Sequence, residues 1–473
     1  MEEENTEGNN YLETAFKRPT KKTEVYFSLS SFFGILMFGL WGQVQFFSVA
    51  VLLIPILWIP MMYLAYSIVD GFNDPILGYL TDRSTRFVEK YGKRFPWIII
   101  GAIFGPIPLL LVFIPISTSV LIAAIWITVM MCIYETMATL REISHQSLFP
   151  DLFRYDDQRA SVSGITMIVT VIAQIVGAIS IPLIIASLGG VTNPTAFLGA
   201  AIFVTIISYI LIYPYSKGVR ETPEMRALRL KLDQQAKGRP PVKEVIVRVF
   251  KDRNWVAIII AFLCWATAGL CFSVGLSFFV LHGLGLGIEV MVLPSLLALA
   301  FAFISIPFWV KLPRKIGIKN SYIAALSSAA IVYIAFFFVT DYIGVVIVYG
   351  LAGIMFSACW GIIFNLVQAE AIDNAAAKSG KREEASYIGI LRVFSAFSYF
   401  FQTLIFAFAW GFFGYEPAKG PNQTSFAKFG LLFAMSIIPF IITIIGIGIF
   451  VIMYQINKED VIANKKRLLE LGI

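Results

Sequence analysis

The sequence predicts an all-α membrane protein, twelve transmembrane helices in two six-helix bundles, and three observations carry that prediction. Of the 473 residues, 58% are hydrophobic and 14% charged, against about 25% charged in an ordinary soluble domain. Apolar runs of about 20 residues, enough to cross a bilayer, recur along the whole chain. Lys and Arg also sort by side. With the N-terminus placed inside, 34 of the 37 (Arg141 counted at the inner end of its span) fall in the tails and in the loops that follow every second span, where the positive-inside rule puts them. Only Lys419 and Lys428 fall outside, and Arg392 within a span; dropping or adding one span scrambles this partition. The composition excludes a large soluble enzyme and a disordered chain. The net charge of +7 is spread over short loops, so it does not mark a nucleic-acid-binding face.

Each element follows in order. Residues 1–24, acidic and then basic with no apolar core, are not a cleavable signal and read as a disordered cytoplasmic tail. Span 1 covers 25–50, and span 2 covers 56–81 and ends in the basic stretch Arg83 to Arg94. Span 3 is an almost unbroken apolar run at 96–116. Span 4, 119–147, closes on the polar His145 and Gln146, and a charged loop separates it from span 5 at 160–187. Span 6, 195–215, starts after Asn193-Pro194, completing a first bundle at 25–215. The longest polar interruption, 216–253, is a charged cytoplasmic linker. Spans 7 to 12 follow at 254–281, 288–310, 321–340, 343–368, 386–414 and 426–454, a second bundle over 254–455, and 456–473 is a cytoplasmic tail. The four cysteines, Cys132, Cys264, Cys271 and Cys359, sit in apolar runs without CxxC spacing and read as buried small hydrophobes.

Ionisable groups inside a membrane cost roughly 2.5–3.5 kcal/mol each on insertion scales and mark function by default. Four acids lie clearly inside spans: Asp70, Asp74, Glu135 and Glu142. Asp70 and Asp74 are one helical turn apart, with Asn73 on the same broad face. Glu135, Thr139, Glu142 and Gln146 follow i, i+4, i+7, i+11 and form one polar stripe. Two such stripes supply carboxylate, amide and hydroxyl oxygens, the hard ligands of a small cation. The alternative is that the acids are protonated or paired with Arg141 and Arg392 to hold helices together. Arg141 reads either as snorkelling to water or as a gate-controlling ion pair. His145 suits a hydrogen-bonded structural role better than a proton shuttle, and His282, at an external helix end, reads as incidental.

The stretch DGFNDPILGYLTDR, Asp70 to Arg83, followed by YGKRFPW, Tyr91 to Trp97, resembles the glycoside–pentoside–hexuronide:cation symporters, the melibiose-permease relatives within the major facilitator superfamily. HQSLFPD at His145 to Asp151 and AEAIDNAAAKSGKREEAS at Ala369 to Ser386 resemble the same family, over about 25–455. The animal sodium-coupled lysolipid transporters share the span 2 signature. The resemblance implies the major facilitator fold, with two six-span repeats and a site near the midplane. It implies a cation site of Asp70, Asn73, Asp74 and Thr139, with Asp70 and Asp74 as Na+ ligands if sodium is the coupling ion. It places Glu142 between substrate and cation, and Gly78, Asp82 and Arg83 in an inner gate, which Arg141 joins if it forms the gate-controlling ion pair. On the sugar side the family pattern is absent: Gly34, Thr166 and Ala396 stand where ionisable residues are expected, and Gln146 replaces an aromatic. Arg392, one turn before Ala396, is the basic residue left to serve with Glu142 and Gln146 in substrate binding, and it suits an anionic solute. Tyr134, Trp265 and Trp360 are the candidate ring-stacking aromatics.

The expectation is therefore a cation-coupled symporter, not an enzyme, in the plasma membrane with both termini cytoplasmic. Its substrate is a sugar, glycoside or related small solute, the alternative being a lysolipid. Coupling is to Na+ or H+, no cofactor is expected, and the partners are the small-molecule substrate and membrane lipids, with no nucleic acid and no obligate protein. A prenyltransferase-type membrane enzyme would need a second acidic motif that the chain lacks. A passive channel would need a ring of charge.

Overall fold

The computed structural model describes residues 18–83, 88–153, 155–223, 225–226, 249–380 and 384–471. Those residues build helices and connecting turns, with no strand among them. Eleven helices are long and apolar enough to cross a membrane. In chain order they are α1 (Lys21–Val51), α3 (Phe95–Val112), α4 (Val120–Leu152), α5 (Asp157–Ser187), α6 (Pro194–Gly218), α7 (Arg253–Gly283), α8 (Ile288–Ile316), α9 (Ile318–Phe336), α10 (Tyr342–Ser379), α11 (Tyr387–Phe412) and α12 (Ser425–Met453). The expected second span is also a helix, α2 (Ile59–Arg83), 25 residues long; its Asp70, Asn73, Asp74 and Asp82 set it apart from the apolar eleven. A further helix, α13 (Lys458–Leu471), follows α12. All twelve expected spans are thus helical. α1 starts at Lys21, inside the segment assigned to the N-terminal tail, and residues 1–17 lie outside the described set, as does most of the linker.

The helix starts are written in short polar side chains. Thr20, Asn193, Asp252, Asp341 and Thr424 each accept a backbone N–H from the first turn of α1, α6, α7, α10 and α12 respectively, which satisfies donors that have no partner within the helix. The start of α3 is capped from a distance. The buried Glu221 carboxylate, just after α6, accepts the N–H of Arg94 at 2.6 Å and of Phe95 at 3.2 Å. Gly92 makes room for it: its φ is +99°, and a Cβ there would sit 2.5 Å from Glu221 Cδ. Arg94 Nη1 in turn donates to Thr81 Oγ1 at 3.2 Å, tying the end of α2 to the same point.

The chain packs as two units. The first takes residues up to Val44, Phe72–Leu188 and Asn193–Gly238; within it α1 lies against α5 and α6, and α3 against α4. The second takes Gln45–Gly71, Gly189–Thr192 and everything from Arg239. In that unit α7 packs on α11 and α12, and α8 on α10, around Trp255, Phe272, Tyr322 and Tyr333. The first half of α2 joins the second unit for a visible reason. Ser67 Oγ donates to the Ala396 carbonyl of α11 at 2.8 Å, Gly71 lies against Val393, and Tyr63 and Tyr66 meet the Tyr399 ring.

In the second unit α8 and α10 approach closely at Gly353, where a Cβ would lie 1.8 Å from the Ala298 carbonyl oxygen of α8. Gly353→Val should therefore force α8 and α10 apart and lower stability by about 1–3 kcal/mol, the range of core overpacking. A detergent thermal melt checks this, and an unchanged midpoint would show that the two helices do not meet there.

Candidate functional site

α2 and α4 position the polar residues that the membrane makes expensive. On α2, Asp70 and Asp74 are half-buried one turn apart, and Asn73 between them is buried. The Asn73 amide donates to Thr136 Oγ1 of α4 at 3.3 Å, and the Thr136 hydroxyl donates to the Cys132 carbonyl one turn back. Thr139 donates to Glu135 at 3.2 Å, and Gln146 to Glu142 at 2.9 Å. The i, i+4, i+7, i+11 stripe is thus a pair of hydrogen-bonded couples on one helix, and Asn73 is bound beside it. The Asn73 amide thus meets α4 at Thr136, one turn before Thr139. Among the described residues no three His, Cys, Asp or Glu side chains gather as for a transition metal. The donors on hand are carboxylates, an amide and hydroxyls, which suit a small hard cation.

Around Arg141 the first unit builds a second cluster. Its side chain is buried, so the snorkelling alternative is wrong: the guanidinium stays inside because partners meet it there. Nη1 donates to Ser30 Oγ at 2.8 Å, Nη2 lies 3.4 Å from Glu142 Oε2, and the plane sits 5.0 Å from the Phe33 ring centre. Gly101 of α3 lets the helices close on this point, since a Cβ there would come within 2.5 Å of the Met137 carbonyl and 2.9 Å of Arg141 N. Tyr215 of α6 donates to Ser30 Oγ at 3.5 Å and lies 3.1 Å from His145 Nδ1. His145 also stacks on Phe27 at 4.0 Å, the structural role expected of it.

Other expected residues stand apart. Gly78 is half-buried, and its carbonyl accepts the Thr81 hydroxyl at 3.2 Å. Asp82 and Arg83 close α2, and their side chains lie outside the described set. Arg392 is exposed on α11, in the second unit. Tyr134 is buried and stacks on Trp41, and Trp265 is buried against Phe262 and Trp360, whose own ring is exposed in a π-helical turn. His282 is not incidental. It is buried, 2.6 Å from the Tyr415 hydroxyl and surrounded by Phe46 and Phe278; burial pushes the Tyr415 phenol well above its usual range, so it stays a neutral hydroxyl. Sequence reasoning missed Ser30, Thr136, Tyr215 and Glu221. Small hydroxyls within apolar runs are too common to single out, and Glu221 lies in a charged linker; only Gly92, just ahead of a helix start, hinted at a cap.

Polar groups on α2 and α4 in a chain of twelve membrane-length helices agree with known proteins. The sequence profile described as MFS/sugar transport protein matches residues 25–458. The chain belongs to the MFS/sugar transport family. Its members are secondary transporters of the major facilitator superfamily, so this protein is a multi-pass membrane transporter and not an enzyme. It is 20% identical over 459 residues to the sodium-dependent lysophosphatidylcholine symporter 1 of Xenopus tropicalis, covering 90% of this chain and 85% of that one. It is 23% identical over 172 residues, 36% of each chain, to the inner membrane symporter YicJ of Escherichia coli K12. The crystal structure of the nucleoside transporter NupG superposes with a TM-score of 0.63 at 13% identity, over 92% of this chain and 100% of that one, a likeness of fold.

Proposed function

We propose that the transporter is a cation-coupled symporter that moves an organic solute across the plasma membrane by alternating access, with both termini cytoplasmic. The observation behind this reading is the polar face shared by α2 and α4, where Asn73 meets Thr136 beside the Glu135–Thr139 and Glu142–Gln146 couples. In this reading Asp70, Asn73, Asp74 and Thr139 hold Na+ or H+. Glu142, Gln146 and Arg392 contact substrate, and Gly78, Asp82, Arg83 and Arg141 serve the gate.

Two substrate classes have specific support. A sugar or glycoside is supported by the family's description, by the likeness to YicJ and by the motifs shared with the melibiose-permease relatives. A lysolipid is supported by similarity to the frog lysophosphatidylcholine symporter along 90% of the chain, and by Gly34, Gln146, Thr166 and Ala396 where sugar-binding side chains are expected. Thermal melts of purified protein with glycosides and with lysolipids, in Na+ and in Na+-free buffer at two pH values, test the proposal. A ligand bound to the native state at 100 times its Kd stabilises by about 2.7 kcal/mol, so a midpoint shift that depends on the cation is expected with one class. Shifts indifferent to both Na+ and pH would remove the coupling.

A further inference from the structure

We infer that Arg141, at the gap left by Gly34, receives an anionic group of the substrate, a carboxylate or a phosphodiester, and that this anion displaces Glu142 and frees its carboxylate for the coupling cation. The inference rests on the symporter reading and deepens it.

Arg141 is held in place independently of its ion pair. Nη1 donates to Ser30 Oγ at 2.8 Å, with the Ser30 carbonyl at 3.4 Å, Phe33 lies under the plane, and Gly101 fixes the backbone. The bond to Glu142 is the loose one. Its 3.4 Å exceeds the 2.7–2.9 Å usual for a charge-assisted hydrogen bond, the Glu142 side chain is 43% exposed, and its other oxygen already accepts from Gln146. Beside the same nitrogen Gly34 leaves the place of a side chain unfilled. A Cβ at the half-buried Gly34 would meet a single atom within 4 Å among the described residues, Arg141 Nη2 at 3.4 Å. An oxyanion seated over Gly34 would lie against Nη2, and the planar guanidinium can donate to two of its oxygens.

Charge balance then dictates coupling. One buried guanidinium neutralises one carboxylate. A second anion is tolerated only if Glu142 is itself neutralised, because two like charges at one site disfavour joint ionisation. A bound cation does this, one for each substrate anion. Other titratable groups surround the same guanidinium: Tyr215 of α6 bonds both it and Ser30 Oγ, His145 lies 3.1 Å from the Tyr215 hydroxyl, and Tyr134 of α4, with Glu135 beside it, lies within electrostatic reach.

The test uses matched pairs on the full-length purified protein: p-nitrophenyl glucuronide against p-nitrophenyl glucoside, and lysophosphatidylcholine against monoacylglycerol, each titrated with and without Na+ and at two pH values. The anionic or phosphodiester member of one pair should bind about tenfold or more tightly, a factor that corresponds to one charge-assisted contact, and which pair responds names the source. Gly34→Asp tethers a carboxylate beside Nη2 and should abolish that preference, whereas Gly34→Ala, adding bulk without charge, should weaken it far less. If Gly34→Asp does not fold, Arg141→Lys, which keeps the charge and loses the fork, should reduce the preference. Equal binding of the neutral member, or a preference intact in both variants, overturns the inference while a cation-dependent response to the neutral ligand leaves the symporter reading standing. Binding of every ligand without regard to cation sinks the symporter reading itself.

Discussion

Asp74→Asn should leave the protein folded and abolish uphill accumulation of substrate. The amide keeps the shape of the carboxylate at a half-buried position on α2 and removes the charge that would bind the cation. A charged group inside a membrane costs roughly 2.5–3.5 kcal/mol, so its neutralisation does not threaten the fold, and the thermal midpoint should stay level or rise. In proteoliposomes with an imposed Na+ or pH gradient, substrate should equilibrate without concentrating, while exchange of internal for external substrate continues. Gradient-driven accumulation at the normal level in the variant would take Asp74 out of the cation site.

Glu142→Gln should make substrate binding indifferent to the coupling ion. Linkage between two ligands is reciprocal and is commonly about 1–3 kcal/mol, 5- to 150-fold in affinity. A carboxylate that answers to both ligands is where that free energy resides. The ratio of substrate Kd without and with the cation should therefore fall from at least about fivefold towards one. The variant should remain folded with a lowered thermal midpoint, because Gln keeps the shape and an acceptor oxygen at a side chain that is 43% exposed, while the buried Arg141 loses its charged partner. A Kd ratio equal to that of the native protein would place the coupling elsewhere.

The fold was largely legible in the sequence because a membrane restricts the choice of structure: backbone polar groups must be paired within each segment, and basic loops record the side. The twelve expected spans all appear as helices. α2 kept its helix although Asp70, Asn73 and Asp74 interrupt its apolar run, and those interruptions are what pointed to function. The α4 stripe was equally legible, since Thr139–Glu135 and Gln146–Glu142 are i, i+4 neighbours fixed by helix geometry alone.

Contacts between helices were another matter. Span composition cannot say which way a side chain turns about its helix axis, so Arg141 read equally as snorkelling or paired. Its burial depends on Ser30, Phe33, Gly101 and Glu142 converging from α1, α3 and α4. The same holds for His282, judged from its place at a helix end and found buried against Tyr415 from the α11–α12 loop, and for Glu221, whose polar setting hid a cap on α3. The sequence by itself determined the twelve spans and the polar groups along each, because these depend on neighbours in the chain. Only the tertiary structure decided which polar groups meet: whether a charge is buried with a partner or solvated depends on neighbouring helices, and no periodicity within one helix encodes them.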